Sequence, residues 1–203
     1  MTIYQAIQNL LSSKKSEHLF GDIHGELSRA ESKALVNTIA LEIEKKTKNL
    51  NRQASIAIDL PRTNYYLASI FSTWKTGNYY VPLNRAWPEA HTKKIVDHLK
   101  PDLIISDSEE LQSYAPIINP INLSCEVVVP TSISQTWEQR SKEIGLAYVI
   151  YTSGSTGEQK GVMIDKHALI SYVDWTALHF PGLSQCKSLL INGEMTFDIS
   201  IAD

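Results

Sequence analysis

The sequence predicts an α/β fold, a doubly wound and mostly parallel sheet with flanking helices. Short apolar runs of strand length alternate with longer segments in which apolar residues recur at the helical period. Such alternation is typical of sheets whose helices cover both faces. A hydrophobic content of 43% in 203 residues is sufficient to fill the resulting core.

The first residues of the chain contain local signals for two helices and a hairpin. Apolar side chains at positions 3, 6, 7, 10 and 11 predict an amphipathic helix over residues 3–11. The turn-rich residues 21–25 lie between Leu19-Phe20 and Glu26-Leu27 and predict a hairpin. Ser28 and Glu31 have the spacing of a capping box, so we expect a second helix from this point to about Lys46.

Strands and helices alternate through the remainder of the chain. We expect strands at residues 54–58, 78–81, 103–105, 146–150, 162–164 and 188–191. We expect helices at residues 63–76, 88–99 and 166–178. The last helix has four apolar residues spaced to pack on the sheet, namely Leu169, Ile170, Val173 and Ala177. We interpret the polar residues 132–142 as a mobile approach to the loop that follows residue 150.

Composition and charge point to small-molecule ligands. The formal net charge of −3 offers no basic patch for nucleic acid, and no apolar run approaches the roughly 18 residues of a membrane span. No secretory signal is visible at the N-terminus, and Cys125 and Cys186 are isolated. The histidines show no metal-ligand spacing. We therefore expect a cytoplasmic protein without nucleic-acid, membrane or protein-bound metal partners.

A loop rich in glycine and hydroxyl groups between residues 151 and 161 carries the main functional signal. It follows one apolar strand and precedes another, which distinguishes it from a flexible glycine–serine linker. Glycine lets backbone N–H groups approach an anion closely, and Lys160 adds a compact positive charge. Gln159 precedes Lys160 and Gly161 follows it, so the loop is not the ordinary P-loop, which requires Gly-Lys-Ser/Thr.

The loop motif Tyr-Thr-Ser-Gly-Ser-Thr-Gly-x-x-Lys-Gly-Val resembles the signature of the adenylate-forming enzymes, which include acyl-CoA synthetases, luciferases and adenylation domains of nonribosomal peptide synthesis. Gln159 stands where that family usually has proline. Residues 27–31 and 74–84 resemble two architectural elements of the same family, with Asn84 in place of a common Asp. The resemblance implies that ATP and Mg²⁺ are cofactors and that Lys160 is catalytic. The residues implied to hold the ATP phosphates are Thr152, Ser153, Gly154, Ser155, Thr156, Gly157 and Lys160.

A second candidate site is the sequence Phe197-Asp198-Ile199-Ser200. A carboxylate in so apolar a segment would be costly to bury without a cationic partner. In amino-acid-activating members of the family that this segment resembles, this Asp binds the α-ammonium group, which makes Asp198 the implied substrate anchor and Phe197 its neighbour in the site. A helix N-cap is the alternative role for Asp198, and the two roles are compatible.

Residues 197–203 form the pattern Phe-Asp-x-Ser-x-x-Asp, which ends at Asp203. Together with residues 168–175, this pattern resembles the sequences of D-alanine-carrier-protein ligases and their peptide-synthetase relatives. The resemblance implies that residues 1–203 are the N-terminal portion of an adenylation domain, with an amino acid as substrate and a carrier protein as partner. We expect a complementing chain to supply the rest of the domain. Two alternatives to an amino-acid-activating enzyme are an inactive or split fragment that acts as a scaffold and an acyl- or aryl-acid CoA ligase.

Overall fold

A computed structural model describes residues 2–13, 17–123, 145–153, 159–185 and 193–196. The polar stretch 132–142 and the strand predicted at 188–191 lie outside these residues. Within the described residues, no helix is long and apolar enough to cross a membrane.

The helices and strands follow the predicted order closely. In the part of the chain that the structure describes, the helices are α1 (Ile3–Ser12), α2 (Arg29–Thr47), α3 (Asn64–Lys75), α4 (Glu89–Leu99) and α5 (Lys166–His179). The strands are β1 (His18–Asp22), β2 (Gly25–Ser28), β3 (Ser55–Asp59), β4 (Tyr79–Pro82), β5 (Leu103–Ser106), β6 (Ile117–Ile118), β7 (Leu146–Ser153) and β8 (Gln159–Asp165). The short strand β6 and the 3₁₀-helices Pro120–Asn122 and Pro181–Gln185 were not predicted.

Among the described residues, six strands form one sheet in the order β6-β5-β3-β4-β7-β8, and β1 and β2 form a separate antiparallel hairpin. The described pairs within the large sheet are parallel except for β7 and β8, which are antiparallel. The prediction of a mostly parallel sheet is therefore confirmed.

Alternate residues of each strand pack on opposite faces of the sheet. Ile56 and Ile58 of β3 join the core beneath α1, α2 and α3, whereas Ala57 joins a second core that includes Ile95 and Val96 of α4. Both faces of these strands are consequently buried, which explains their nearly continuous apolar sequences. The sheet is doubly wound, as the alternation of elements predicts.

Local capping signals determine where the first helices begin. The Ser28 hydroxyl accepts a hydrogen bond from the Glu31 amide at 3.2 Å, and the Glu31 carboxylate accepts one from the Ser28 amide at 2.8 Å. Hydrogen bonds from the Ser28 side chain and backbone lower the pKa of Glu31. Thr2 and Gln5 form the same reciprocal pair at the start of α1. The predicted capping box of α2 is confirmed.

The turn between α3 and β4 depends on Gly77. Its φ of 82° lies in the left-handed region that favours glycine. The next residue, Asn78, accepts a hydrogen bond from the Ala54 amide at 2.8 Å and so ties the start of β4 to β3. Pro82 is the last residue of β4, so the strand ends one residue later than predicted.

Helix α5 packs less fully on the described part of the sheet than the sequence predicts. Leu169 is buried and Ile170 is half-buried, but Val173 and Ala177 are exposed. The expectation that all four contact the sheet is wrong for the last two, because among the described residues no layer covers that part of α5.

Asp102 links the end of α4 to the start of β3. Its carboxylate accepts hydrogen bonds from Arg52 at 2.7 Å, from the Ser55 amide at 2.9 Å and from the Ser55 hydroxyl at 3.0 Å. Burial alone would raise the pKa of Asp102, but these hydrogen bonds outweigh it and hold the pKa below its usual range.

The depressed pKa of Asp102 predicts a loss of stability in acid. Because the folded-state pKa is lower than the unfolded value, the stabilisation is complete above about pH 4 and is lost as the pH falls through the folded pKa. Asp102→Asn should lower the free energy of unfolding by about 2 kcal/mol at pH 7 and by less at pH 3, which is below the unfolded-state pKa. Urea unfolding at both pH values tests this, and an equal effect at both would contradict it.

Candidate functional site

The candidate site lies at the carboxyl edge of the sheet. Because β3, β4, β5 and β7 run parallel, the loops that follow them emerge at the same edge. The loop that follows β7 is the predicted phosphate loop, and it connects β7 to the antiparallel β8. In doubly wound folds, ligands bind at this edge.

Two predicted phosphate-binding residues, Thr152 and Lys160, face each other across the neck of the loop. They are directly opposite in the register of β7 and β8, so their side chains lie on the same face of the hairpin. Both are exposed, and the Thr152 hydroxyl lies 3.5 Å from the Lys160 carbonyl oxygen. The hairpin thus presents a hydroxyl and an ammonium group side by side. The strands also extend further toward the loop tip than the sequence predicts.

The remaining predicted loop residues are described only in part. The backbone of Ser153 ends β7 opposite Gln159. Gly154, Ser155, Thr156 and Gly157 lie outside the described residues, so their assignment as phosphate ligands stays a prediction.

Gly161 has a steric role that its place in the motif does not reveal. A Cβ atom at this position would lie 3.0 Å from Val149 Cγ1 and 3.4 Å from the Tyr151 ring. Glycine therefore allows β7 and β8 to stay in close contact directly behind Lys160.

Arg85 holds together the loops that follow three parallel strands. It donates to the Asp59 carbonyl at 2.7 Å and to the Asp59 carboxylate at 3.2 Å, and it contacts the Asp107 carboxylate. The Ser106 hydroxyl donates to Asp59 at 2.9 Å. These contacts fix the rim of the carboxyl edge, and they were not predicted from the sequence. The sequence pattern that could have indicated these contacts is the presence of polar residues directly after consecutive apolar strands.

The segment that leads into the predicted substrate anchor is held at the same edge. Met195 and Thr196 are buried, and Met195 belongs to the core beneath α1, α2 and α3. Arg62 donates to the Gly193 carbonyl at 3.2 Å and lies 3.7 Å from the Glu194 carboxylate. Phe197 and Asp198 themselves lie outside the described residues. The described segment 193–196 is thus fixed beside the carboxyl edge.

Two hydroxyl groups near this segment are buried without a hydrogen-bond partner among the described residues, those of Tyr66 and Thr196. Burial raises the pKa of Tyr66, and the negative charges of Asp59 and Glu194 raise it further. The phenol therefore stays neutral and can donate a hydrogen bond. Unpaired hydroxyls of this kind are polar groups that a ligand or water can satisfy.

A separate open cleft of about 670 Å³ lies between the β1–β2 hairpin and the first turn of α3. Its acidic side chains already have partners: Asp22 accepts from the Asn64 amide at 2.8 Å, and Glu31 belongs to the capping box. Neither Thr152 nor Lys160 is among the residues that line it. The cleft is therefore distinct from the described neck of the predicted phosphate loop.

The protein is of the α/β class, because it has a doubly wound sheet. Its candidate site is the glycine- and hydroxyl-rich loop at the carboxyl edge of that sheet. The family of AMP-binding enzymes matches residues 12–202, and the chain belongs to this family. The resemblance read from the loop motif is confirmed at this level.

Curated relatives are peptide-synthetase and carrier-protein-ligase proteins. The chain is 27% identical, over its whole length, to a D-alanine–D-alanyl carrier protein ligase of Bacillus velezensis, of which it covers 40%. It is 30% identical to enterobactin synthase component F of Shigella flexneri over 147 residues, which are 72% of the chain and 11% of that protein. The chain thus spans less than half the length of these relatives.

Solved structures share the same fold. A four-domain nonribosomal peptide synthetase, holo-AB3403 bound to AMP and glycine, superposes with a TM-score of 0.75 at 23% identity. The superposition covers 99% of this chain and 14% of the synthetase chain. This similarity confirms the predicted architecture, including the helices on both faces of the sheet.

Proposed function

We propose that residues 1–203 form the N-terminal portion of an adenylation domain that activates an amino acid with ATP. The observation that carries this proposal is the pair of exposed side chains, Thr152 and Lys160, on one face of the β7–β8 hairpin. The anchored segment 193–196, which leads to Asp198, lies at the same edge of the sheet. A phosphate-binding loop and an amino-group anchor would thus approach one ligand from two sides.

The proposed reaction joins a carboxylate oxygen of the amino acid to the α-phosphorus of ATP and releases pyrophosphate. Lys160 would offset the negative charge on the leaving phosphates, an electrostatic contribution that requires only a fixed position. Thr152 and the loop hydroxyls would donate hydrogen bonds to phosphate oxygens. The exposed, closely spaced ammonium and hydroxyl groups fit a triphosphate, and Mg²⁺ would enter with it.

An amino acid is the proposed substrate, rather than an acyl or aryl acid, because Asp198 offers a carboxylate for an ammonium group. The similarity to a D-alanine–D-alanyl carrier protein ligase supports this choice and supports transfer of the activated amino acid to a carrier-protein thiol. Phe197 would pack beside the substrate.

We further propose that the rest of the adenylation domain, in this polypeptide or in a complementing chain, covers apolar side chains that β8 and α5 expose. These are Val162 and Met163, on opposite faces of β8, and Tyr172, Val173, Trp175 and Leu178 of α5. Large apolar side chains exposed in such number often contact another protein segment. The greater length of the relatives supports this interpretation.

Amino-acid-dependent exchange of pyrophosphate into ATP tests the proposal. We expect exchange when residues 1–203 are assayed with the downstream portion of the domain, and little exchange when they are assayed alone. Amino acids should support exchange, whereas their deaminated analogues should not. Exchange with the deaminated acid alone would favour the acyl- or aryl-acid ligase alternative, and absence of exchange under all conditions would favour the inactive scaffold.

A further inference from the structure

We infer that His91 of α4 is a positioning residue for Lys160 and acts through Gln159. The inference rests on the proposed function for the role of Lys160, but its geometry stands independently. It concerns a contact between α4 and the first residue of β8, at the neck of the phosphate loop.

The contact between Gln159 and His91 is close. The side-chain amide nitrogen of Gln159 lies 2.9 Å from both ring nitrogens of His91. The ring of His91 is in turn held by Trp87, with centroids 4.7 Å apart. Gln159 is the residue immediately before Lys160, so any displacement of Gln159 moves the Lys160 backbone with it.

Strand alternation explains why this contact determines the position of Lys160. Side chains at 159 and 161 point to one face of β8, and the side chain at 160 points to the other. Gln159 contacts α4, and Gly161 packs against Val149 and Tyr151 on the same side. A slip of one residue would turn Lys160 toward α4 and away from Thr152. The two contacts that flank Lys160 therefore fix both its register and its face.

Helix α4 also holds the opposite strand of the neck. His98 Nδ1 lies 2.8 Å from the Tyr151 hydroxyl, and the two rings meet edge to face at 5.7 Å. One helix thus contacts β7 through His98 and β8 through His91. Along the hairpin, the pairing of Thr152 with Lys160 lies between these two attachments, because Tyr151 precedes Thr152 and Gln159 pairs with the next residue, Ser153.

The chemistry of the pair allows contact in either protonation state of His91. A neutral imidazole can accept a hydrogen bond from the Gln159 amide nitrogen. The oxygen of the same amide, Gln159 Oε1, is buried without a hydrogen-bond partner among the described residues. If the amide group is turned by about 180°, this oxygen can accept a hydrogen bond from a ring that carries a proton on both nitrogens. The contact therefore serves as a mechanical tether and does not depend on a single charge state.

The test uses the complete adenylation domain and the variants His91→Ala, Gln159→Ala and the double variant. We expect each single variant to raise the KM for ATP by about 5- to 10-fold, the effect of one lost hydrogen bond, with little change in the KM for the amino acid. The double variant should resemble the single ones, because both remove the same contact. His91→Asn, which can still bond to Gln159, should restore most of the loss.

A matched control and a second readout separate this inference from the proposed function. Lys93→Ala alters the same helix at an exposed side chain that pairs with Glu89, and it should leave the KM for ATP unchanged. Hydrogen–deuterium exchange of residues 154–158 should increase in His91→Ala and not in Lys93→Ala, whether or not the protein is active. Unchanged loop exchange, or an unchanged KM for ATP in an active enzyme, would overturn the inference. An inactive unmodified protein whose loop exchange still responds to His91→Ala would refute only the proposed function.

Discussion

Replacement of Lys160 by alanine should lower amino-acid-dependent pyrophosphate exchange by about 10²- to 10³-fold, the range found when one preorganised charge-stabilising group is removed. The loss should fall mainly on kcat, because charge builds on the leaving phosphates as the reaction proceeds. Binding of the amino acid alone, measured by calorimetry, should change little. Lys160 is exposed, so its removal leaves no cavity and no buried unpaired group.

Two comparisons make the Lys160 result specific. Lys160→Arg retains the charge but spreads it over a planar group that has a different reach, and we expect partial activity. Lys93→Ala removes an exposed lysine from α4 and should leave exchange unchanged. Equal exchange rates for Lys160→Ala and the unmodified enzyme would contradict the proposed role of Lys160.

The elements that the sequence predicted well are those specified by neighbouring residues. The capping box of Ser28 and Glu31 and the period of α1 each depend on residues a few positions apart. Such signals act on the local backbone whatever the tertiary context. The order of strands and helices followed from them, and with it the doubly wound class.

The features that the sequence did not predict depend on contacts between distant segments. Arg85 reaches Asp59 and Asp107 from another loop, and Gln159 meets His91 although the two are far apart in sequence. No local pattern encodes such a pairing. The exposure of Val173 on α5 is a similar case, because hydrophobic spacing identifies an apolar face without identifying what covers it.

The candidate site was predictable in its residue types and only partly in its geometry. Motif resemblance selected Thr152 and Lys160, and the strand register then placed them opposite each other. The motif gave no reason for Gly161, which the packing against Val149 and Tyr151 supplies. The functions of Phe197 and Asp198 still rest on the sequence alone, so substitution of Asp198 is the most informative experiment on substrate choice.

Substitution of Asp198 by asparagine should lower kcat/KM for the amino acid by about 100-fold, as expected when one partner of a hydrogen-bonded charge pair is removed. The KM for ATP should change much less, because Lys160 and the loop hydroxyls would still contact the phosphates. The preference for amino acids over their deaminated analogues should disappear. The analogue has no ammonium group, so the substitution removes no contact that the analogue makes. Exchange assays with both acids and both enzymes measure this difference directly.

Asparagine is the informative replacement because it separates the two roles open to Asp198. Asn and Asp are nearly equivalent as helix N-caps, so a capping role predicts that Asp198→Asn behaves like the unmodified enzyme and that only Asp198→Ala is impaired. An ammonium anchor predicts that both variants lose amino-acid selectivity, because neither retains the negative charge. Unchanged selectivity in Asp198→Asn, together with a lower melting temperature in Asp198→Ala, would assign Asp198 to the helix terminus and leave substrate recognition to other residues.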